Sequence, residues 1–139
     1  MQIQAYLFFN GRCEEALEFY EKTLGTRRGR FLRYQDSPEP PPPGSVLPGF
    51  ENKVIFTEFT VGDTQVMACD DCTGASSEFK GFRLSLSVSD EAEARRVFSA
   101  LADGGEVHMP LARTFFSPSF GMLRDKFGVG WMVIVPAEA

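Results

Sequence analysis

The chain tells one short story twice, and that repetition is its strongest constraint. Shifted by seventy-nine positions, Ala5-Tyr6-Leu7-Phe8-Phe9 falls on Leu84-Ser85-Leu86-Ser87-Val88, Phe19 falls on Phe98, and Gly25 falls on Gly104. Each copy reads as a strand, a turn with a capping residue, an amphipathic helix and a glycine stop, followed by further strands. Internal repetition means that the same supersecondary unit is built twice. The expected fold is therefore α+β, two βαβββ modules in a single domain over residues 1–139. Module one covers about 1–72 with a proline-rich loop at 37–50, and module two covers about 80–136. Two such modules can curve around a cavity, and cavities host ligands.

Local patterns fill in the modules. Ile3 to Phe9 is aromatic and branched, as a buried strand should be. From Arg12 the apolar residues Cys13, Ala16, Leu17, Tyr20 and Leu24 recur at helical spacing, with Glu14, Glu15, Glu18, Glu21 and Lys22 opposite, and Gly25 suits a left-handed stop. Residues 26–35 read as a strand with Arg27, Arg28, Arg30 and Arg33 on its solvated side. The run Ser37-Pro38-Glu39-Pro40-Pro41-Pro42-Pro43-Gly44 cannot continue it, because proline removes ladder donors. Gly62-Asp63 forms the tight turn of a hairpin between Val54–Val61 and Gln65–Cys69. That turn pairs Val61 with Thr64, Glu58 with Met67 and Phe56 with Cys69. In the second copy, Phe82 to Val88 is a strand, Asp90 with Glu93 begins a helix, and Ala94, Val97, Phe98 and Leu101 form its buried stripe. Gly104-Gly105 ends the helix. Val107–Thr114, Met122–Asp125 and Trp131–Val135 read as the last strands, with Phe127-Gly128 as the closing turn.

Charge and cysteine usage narrow the function. With 14 basic and 19 acidic side chains, a formal charge of −5 argues against nucleic acid as a partner. No apolar run approaches the roughly 20 residues of a membrane span, so no membrane partner is expected. Three cysteines, Cys13, Cys69 and Cys72, make an odd count that does not suggest a disulfide framework, which points to the cytoplasm. Cys69 to Cys72 matches C-x-x-C but lacks the second pair of ligands that structural zinc needs, and the chain has one histidine, His108. Glu58, among Phe56, Met67 and Tyr6, could act as a general base or be ion-paired with Arg83 or another cation. One acid without a partner makes a poor proton relay. Cys69 beside Asp70 and Asp71 reads as a lining residue, since adjacent carboxylates oppose a thiolate.

The strand–helix–strand–strand–strand order, stated twice, resembles the vicinal oxygen chelate superfamily of glyoxalases, bleomycin-resistance proteins and ring-cleaving dioxygenases. Tyr6-Leu7-Phe8-Phe9-Asn10-Gly11, Glu15-Ala16, Phe19-Tyr20 and Leu24-Gly25 are similar to the subgroup of phosphonate-operon accessory or 3-demethylubiquinone methyltransferase-like proteins. So are Met109-Pro110-Leu111, Thr114-Phe115-Phe116, Phe120-Gly121-Met122 and Asp125-Lys126-Phe127-Gly128-Val129-Gly130-Trp131-Met132. The resemblance implies a cup-shaped mixed sheet with helices on its convex face, and a homodimer. It also implies a metal site whose ligand positions fall approximately at Gln4, Cys69, Arg83 and Met132. Of these only Gln4 is a familiar ligand there, since arginine cannot coordinate and a thioether suits soft metals. No metal and no cofactor are therefore expected, and no glycine-rich methyl-donor loop is present.

The reading is a small-molecule-binding protein of unknown ligand. Its cavity is expected to hold Tyr6, Phe8, Phe56, Glu58, Met67, Cys69, Arg83, Ser85 and Met132, with Leu7, Phe9 and Leu86 turned toward the helices. A metal-dependent lyase or dioxygenase of glyoxalase type and a drug-sequestering resistance protein are the two alternatives.

Overall fold

A computed structural model describes residues 1–39, 46, 48–71 and 78–137. The prolines of the loop from Pro40 to Pro43, Cys72 of the C-x-x-C motif and most of the connection at 74–80 lie outside those residues. The chain divides into two compact units, Met1–Ser77 and Glu78–Ala139.

The first unit contains β1 (Tyr6–Phe9), α1 (Cys13–Leu24), β2 (Arg27–Arg33), a 3₁₀ turn (Tyr34–Asp36), β3 (Val54–Val61) and β4 (Thr64–Asp70). Its sheet has the order β1-β4-β3-β2, with β1 parallel to β4 and the other pairs antiparallel. The hairpin register is as read from the sequence: Val61 lies opposite Thr64 and Glu58 opposite Met67. Alternation then sorts the side chains. Leu7, Phe9, Thr57, Phe59, Val66 and Ala68 are buried on the side that carries α1. Tyr20 of α1 stacks at 5.8 Å from Phe59, completing this core. The first strand is shorter than its apolar sequence suggests, because its pairing with β4 begins at Tyr6, and Ile3 is 98% exposed.

The start of α1 carries no capping residue of its own: Arg12 makes no side-chain bond to the helix. The cap comes from β4. Asp70, fully buried, accepts hydrogen bonds from the backbone N–H of Gly11 and Cys13 at 2.9 Å each and from that of Val54 at 3.0 Å. One carboxylate thus satisfies orphan donors of the helix and ties it to two strands. Gly25 ends the helix with φ 67°, the left-handed stop.

The second unit repeats the plan with β5 (Leu84–Ser87), α2 (Glu91–Ala102), β6 (Glu106–Ala112), β7 (Phe120–Arg124) and β8 (Gly130–Ile134) in the order β5-β8-β7-β6. Here the cap is local, as expected: the Asp90 carboxylate accepts from the Glu93 N–H at 2.8 Å. Glu93 reaches back to the Ser89 hydroxyl at 3.2 Å rather than to the backbone. Buried Leu123, Trp131 and Val133 face α2 together with the half-buried Leu84 and Leu86. Asp125 fixes the β7–β8 turn by accepting from the N–H of Phe127 and Val129 and from the Trp131 indole.

The repeat is real but not uniform. Inward positions of the first strands recur at seventy-nine residues, Leu7 with the half-buried Leu86 and Phe9 with Val88 just past β5. The buried helix positions recur at seventy-eight, Ala16 with Ala94, Tyr20 with Phe98 and Thr23 with Leu101. Tyr20, and not Phe19, therefore corresponds to Phe98. The one-residue difference falls in the strand-to-helix turns, where the two capping solutions differ.

Candidate functional site

Each sheet has one face on its helix and one free of it. On the helix-free face of the first sheet lie six of the nine residues expected to contact ligand. Tyr6 and Phe8 project from β1, Met67 and Cys69 from β4, and Phe56 and Glu58 from β3, with Tyr6 beside Met67 and Phe8 beside Cys69 in the register. Tyr6 is 37% and Phe8 51% exposed. Their rings are 5.0 Å apart, and Phe56 lies 6.3 Å from Tyr6. Burial and a hydrogen bond with the Cys69 thiol push the Tyr6 hydroxyl up to about 12. Burial, and then the Asp70 charge, also hold Cys13 above the usual thiol range. Cys13 and Cys69 are buried and in no disulfide, so neither has the exposed, electropositive setting of a nucleophile.

Glu58 has a basic partner in Arg30, whose Nε lies 3.4 Å from its Oε1 and whose guanidinium stacks 5.4 Å from the Phe56 ring. This is the ion-paired reading of Glu58, with Arg30 rather than Arg83 as the cation; strand parity did not single out Arg30 because β2 is irregular between Arg28 and Phe31. The irregularity splits the arginines between faces. Arg30 joins Glu58, while Arg28 and Arg33 turn toward α1, flank Phe31 at 4.9 Å each, and pair with acids of the helix. They are thus not a solvated strand side. Gly29 was the available signal: a Cβ there would sit 2.8 Å from Glu58 Cγ, so glycine is what admits the close approach.

On the helix-free face of the second sheet lie the other three expected residues, Arg83, Ser85 and Met132, with Ser85 opposite Met132. Arg83 runs across Gly130, where a Cβ would stand 3.1 Å from its Cγ. It donates to the Leu123 carbonyl at 2.9 Å and meets His108 Nδ1 at 2.7 Å. Because guanidinium only donates, Nδ1 is the acceptor and the ring proton sits on Nε2, directed at Glu106 at 3.3 Å. His108 is therefore engaged on this face; irregular pairing of β6 on either side of Met109 hid its orientation from strand parity.

Two of the four residues at the superfamily's metal positions, Arg83 and Met132, do not suit a hard or borderline metal: Arg83 offers only donors, and Met132 is a thioether. Gln4 donates its amide N–H to Gln65 Oε1 at 2.9 Å, and the Cys69 thiol is buried. Among the described residues no three of His, Cys, Asp or Glu gather in a way that could hold an ion.

This double βαβββ architecture, with one helix-free face per sheet, is the glyoxalase/bleomycin resistance/dioxygenase fold. A domain of that description from Frankia sp. EAN1pec superposes with a TM-score of 0.71 at 14% identity, covering 100% of this chain and 93% of that one. The model of the 3-demethylubiquinone-9 3-methyltransferase family matches residues 1–134, and the chain belongs to that family. The crystal structure of protein PA1353 from Pseudomonas aeruginosa is 41% identical with a TM-score of 0.86, covering 99% of each chain. Protein YjdN of Escherichia coli K12 is 30% identical over 97% of this chain and 95% of its own.

Proposed function

We propose that the protein binds a small organic molecule on the helix-free faces of its sheets, without a catalytic metal, as a cytoplasmic homodimer. The carrying observation is the exposed aromatic group of Tyr6 and Phe8 with Phe56, set beside the polar Glu58–Arg30 pair. Apolar area with a few placed polar groups is the composition of ligand sites. The contact residues in this reading are Tyr6, Phe8, Phe56, Glu58, Met67 and Cys69 in the first unit and Arg83, Ser85 and Met132 in the second. Methyl transfer, which the family description names, is not adopted. The amides at the α1 N-terminus, the natural anion cradle of a strand–turn–helix, are taken by Asp70. Among the described residues, Cys13 and Cys69 are buried thiols in no disulfide, in keeping with a reducing compartment.

Native mass spectrometry after gentle purification tests the reading. The expected species is a dimer free of stoichiometric metal. About one divalent ion per chain would refute the metal-free part, and a monomer at micromolar concentration would refute the dimer.

A further inference from the structure

We infer that Arg83 is the anchor of an oxyanion site, so that the small molecule bound by this protein carries a carboxylate or phosphate group. The inference rests on the proposed use of the helix-free faces and specifies the ligand class for the second one. Its basis is an unbalanced charge. Arg83 is partly buried, yet it enters no ion pair among the described residues. Its two acceptors are a backbone carbonyl and a neutral imidazole nitrogen. An arginine withdrawn from water is ordinarily matched by a carboxylate, because desolvation of an unmatched charge is costly. Here two neutral acceptors fix the plane of the guanidinium and leave its Nε–H and the second hydrogen of each terminal nitrogen for another partner. A planar fork held in this way suits bidentate recognition of an oxyanion.

Two further features agree. Gly130 clears the path along which Arg83 lies, since a methyl group there would meet both Cγ at 3.1 Å and Nη1 at 3.3 Å. Arg124 is the register partner of Gly130 and adds an exposed guanidinium to the same face, also without an ion pair among the described residues. Glu106 is the acid at this end, and its contact is with His108. His108 acts as a positioning residue: its Nε2–H, held toward Glu106, keeps Nδ1 turned to Arg83.

The test is titration of the full chain with benzoate, its neutral isostere benzamide, and inorganic phosphate, followed by NMR of the Arg83 Nε–Hε and the Ser85 and Met132 amides. Benzoate is expected to bind at least tenfold more tightly than benzamide and to shift the Arg83 signal, and phosphate to shift the same signal. Arg83→Gln should weaken benzoate at least tenfold. Gly130→Ala keeps the charge but displaces it, and should weaken benzoate as well. Spectra of both variants establish that they remain folded. Equal binding of benzoate and benzamide would overturn the oxyanion site while leaving ligand binding intact. Anion binding unchanged in folded Arg83→Gln would also overturn it. No binding of any probe would count against the underlying reading itself.

Discussion

Glu14 sits where two arginines reach it from β2. Arg33 donates to both its oxygens, at 3.0 and 2.8 Å, and Arg28 lies at 3.8 Å. The Arg33 hydrogen bonds, chiefly, hold the Glu14 carboxyl below its ordinary value of 4.5. A carboxyl lowered in the folded state stabilises the fold above its unfolded value, and that contribution is lost as pH falls through the folded value. Stability should therefore decline on acidification below about 4.5, and Glu14→Gln should flatten that part of the profile. The effect should be small, because the pair is partly exposed and screened. Urea midpoints at neutral pH and near pH 3 measure it; an unchanged acid limb in Glu14→Gln would remove Glu14 from the account. The partners of Glu14 were not legible in the sequence. Period-two alternation puts Arg28, Arg30 and any even-numbered neighbour on one face, and register shifts between Arg28 and Phe31 and between Leu32 and Arg33 break that count. Face assignments in β1, β3, β4 and β5 were legible because those strands are regular and alternate between apolar residues packed on the helix and others turned from it.

At the scale of elements, the two strand-to-helix turns solve one problem differently. α2 opens with Asp90, a strong capping residue that can be recognised from sequence. α1 opens with Arg12, which cannot cap, and the acceptor arrives from Asp70, fifty-seven residues beyond Cys13. No local pattern announces that link. The hint is negative: a helix with no cap of its own must find one elsewhere. Replacing Asp70 with Ala would leave the buried N–H groups of Cys13 and Val54 unpaired, and strip the half-buried Gly11 N–H of its acceptor. At about 1–3 kcal/mol for each unsatisfied group, the loss should be at least about 2 kcal/mol. Asp90→Ala, at an exposed cap, should cost about 1 kcal/mol. Chemical denaturation of both variants checks the order, and an Asp70→Ala cost no larger than that of Asp90→Ala would contradict the tertiary cap.

For the whole molecule, the βαβββ plan was legible because glycines after the helices and apolar periodicity agree with one another in both copies. Function was less so, since the fold hosts many chemistries and only the side chains on it decide among them. Those side chains give the protein an aromatic helix-free face in one unit and, in the other, an arginine that enters no ion pair among the described residues. Along the other side of the first unit, a cleft of about 210 Å³ lies between Glu14, Glu15 and Glu18 of α1 and Asn52 and Lys53. It is acidic and polar, with Lys53 as the one cation among the described residues of its lining. The most direct test of the central claim is amide chemical-shift mapping of the full chain against a set of small aromatic acids. The account predicts that the shifted residues include Tyr6, Phe8, Phe56 and Met67 on the helix-free face of the first sheet. Shifts gathered instead around Gly11, Glu14 and Lys53 at the cleft, or on the helices, would contradict it.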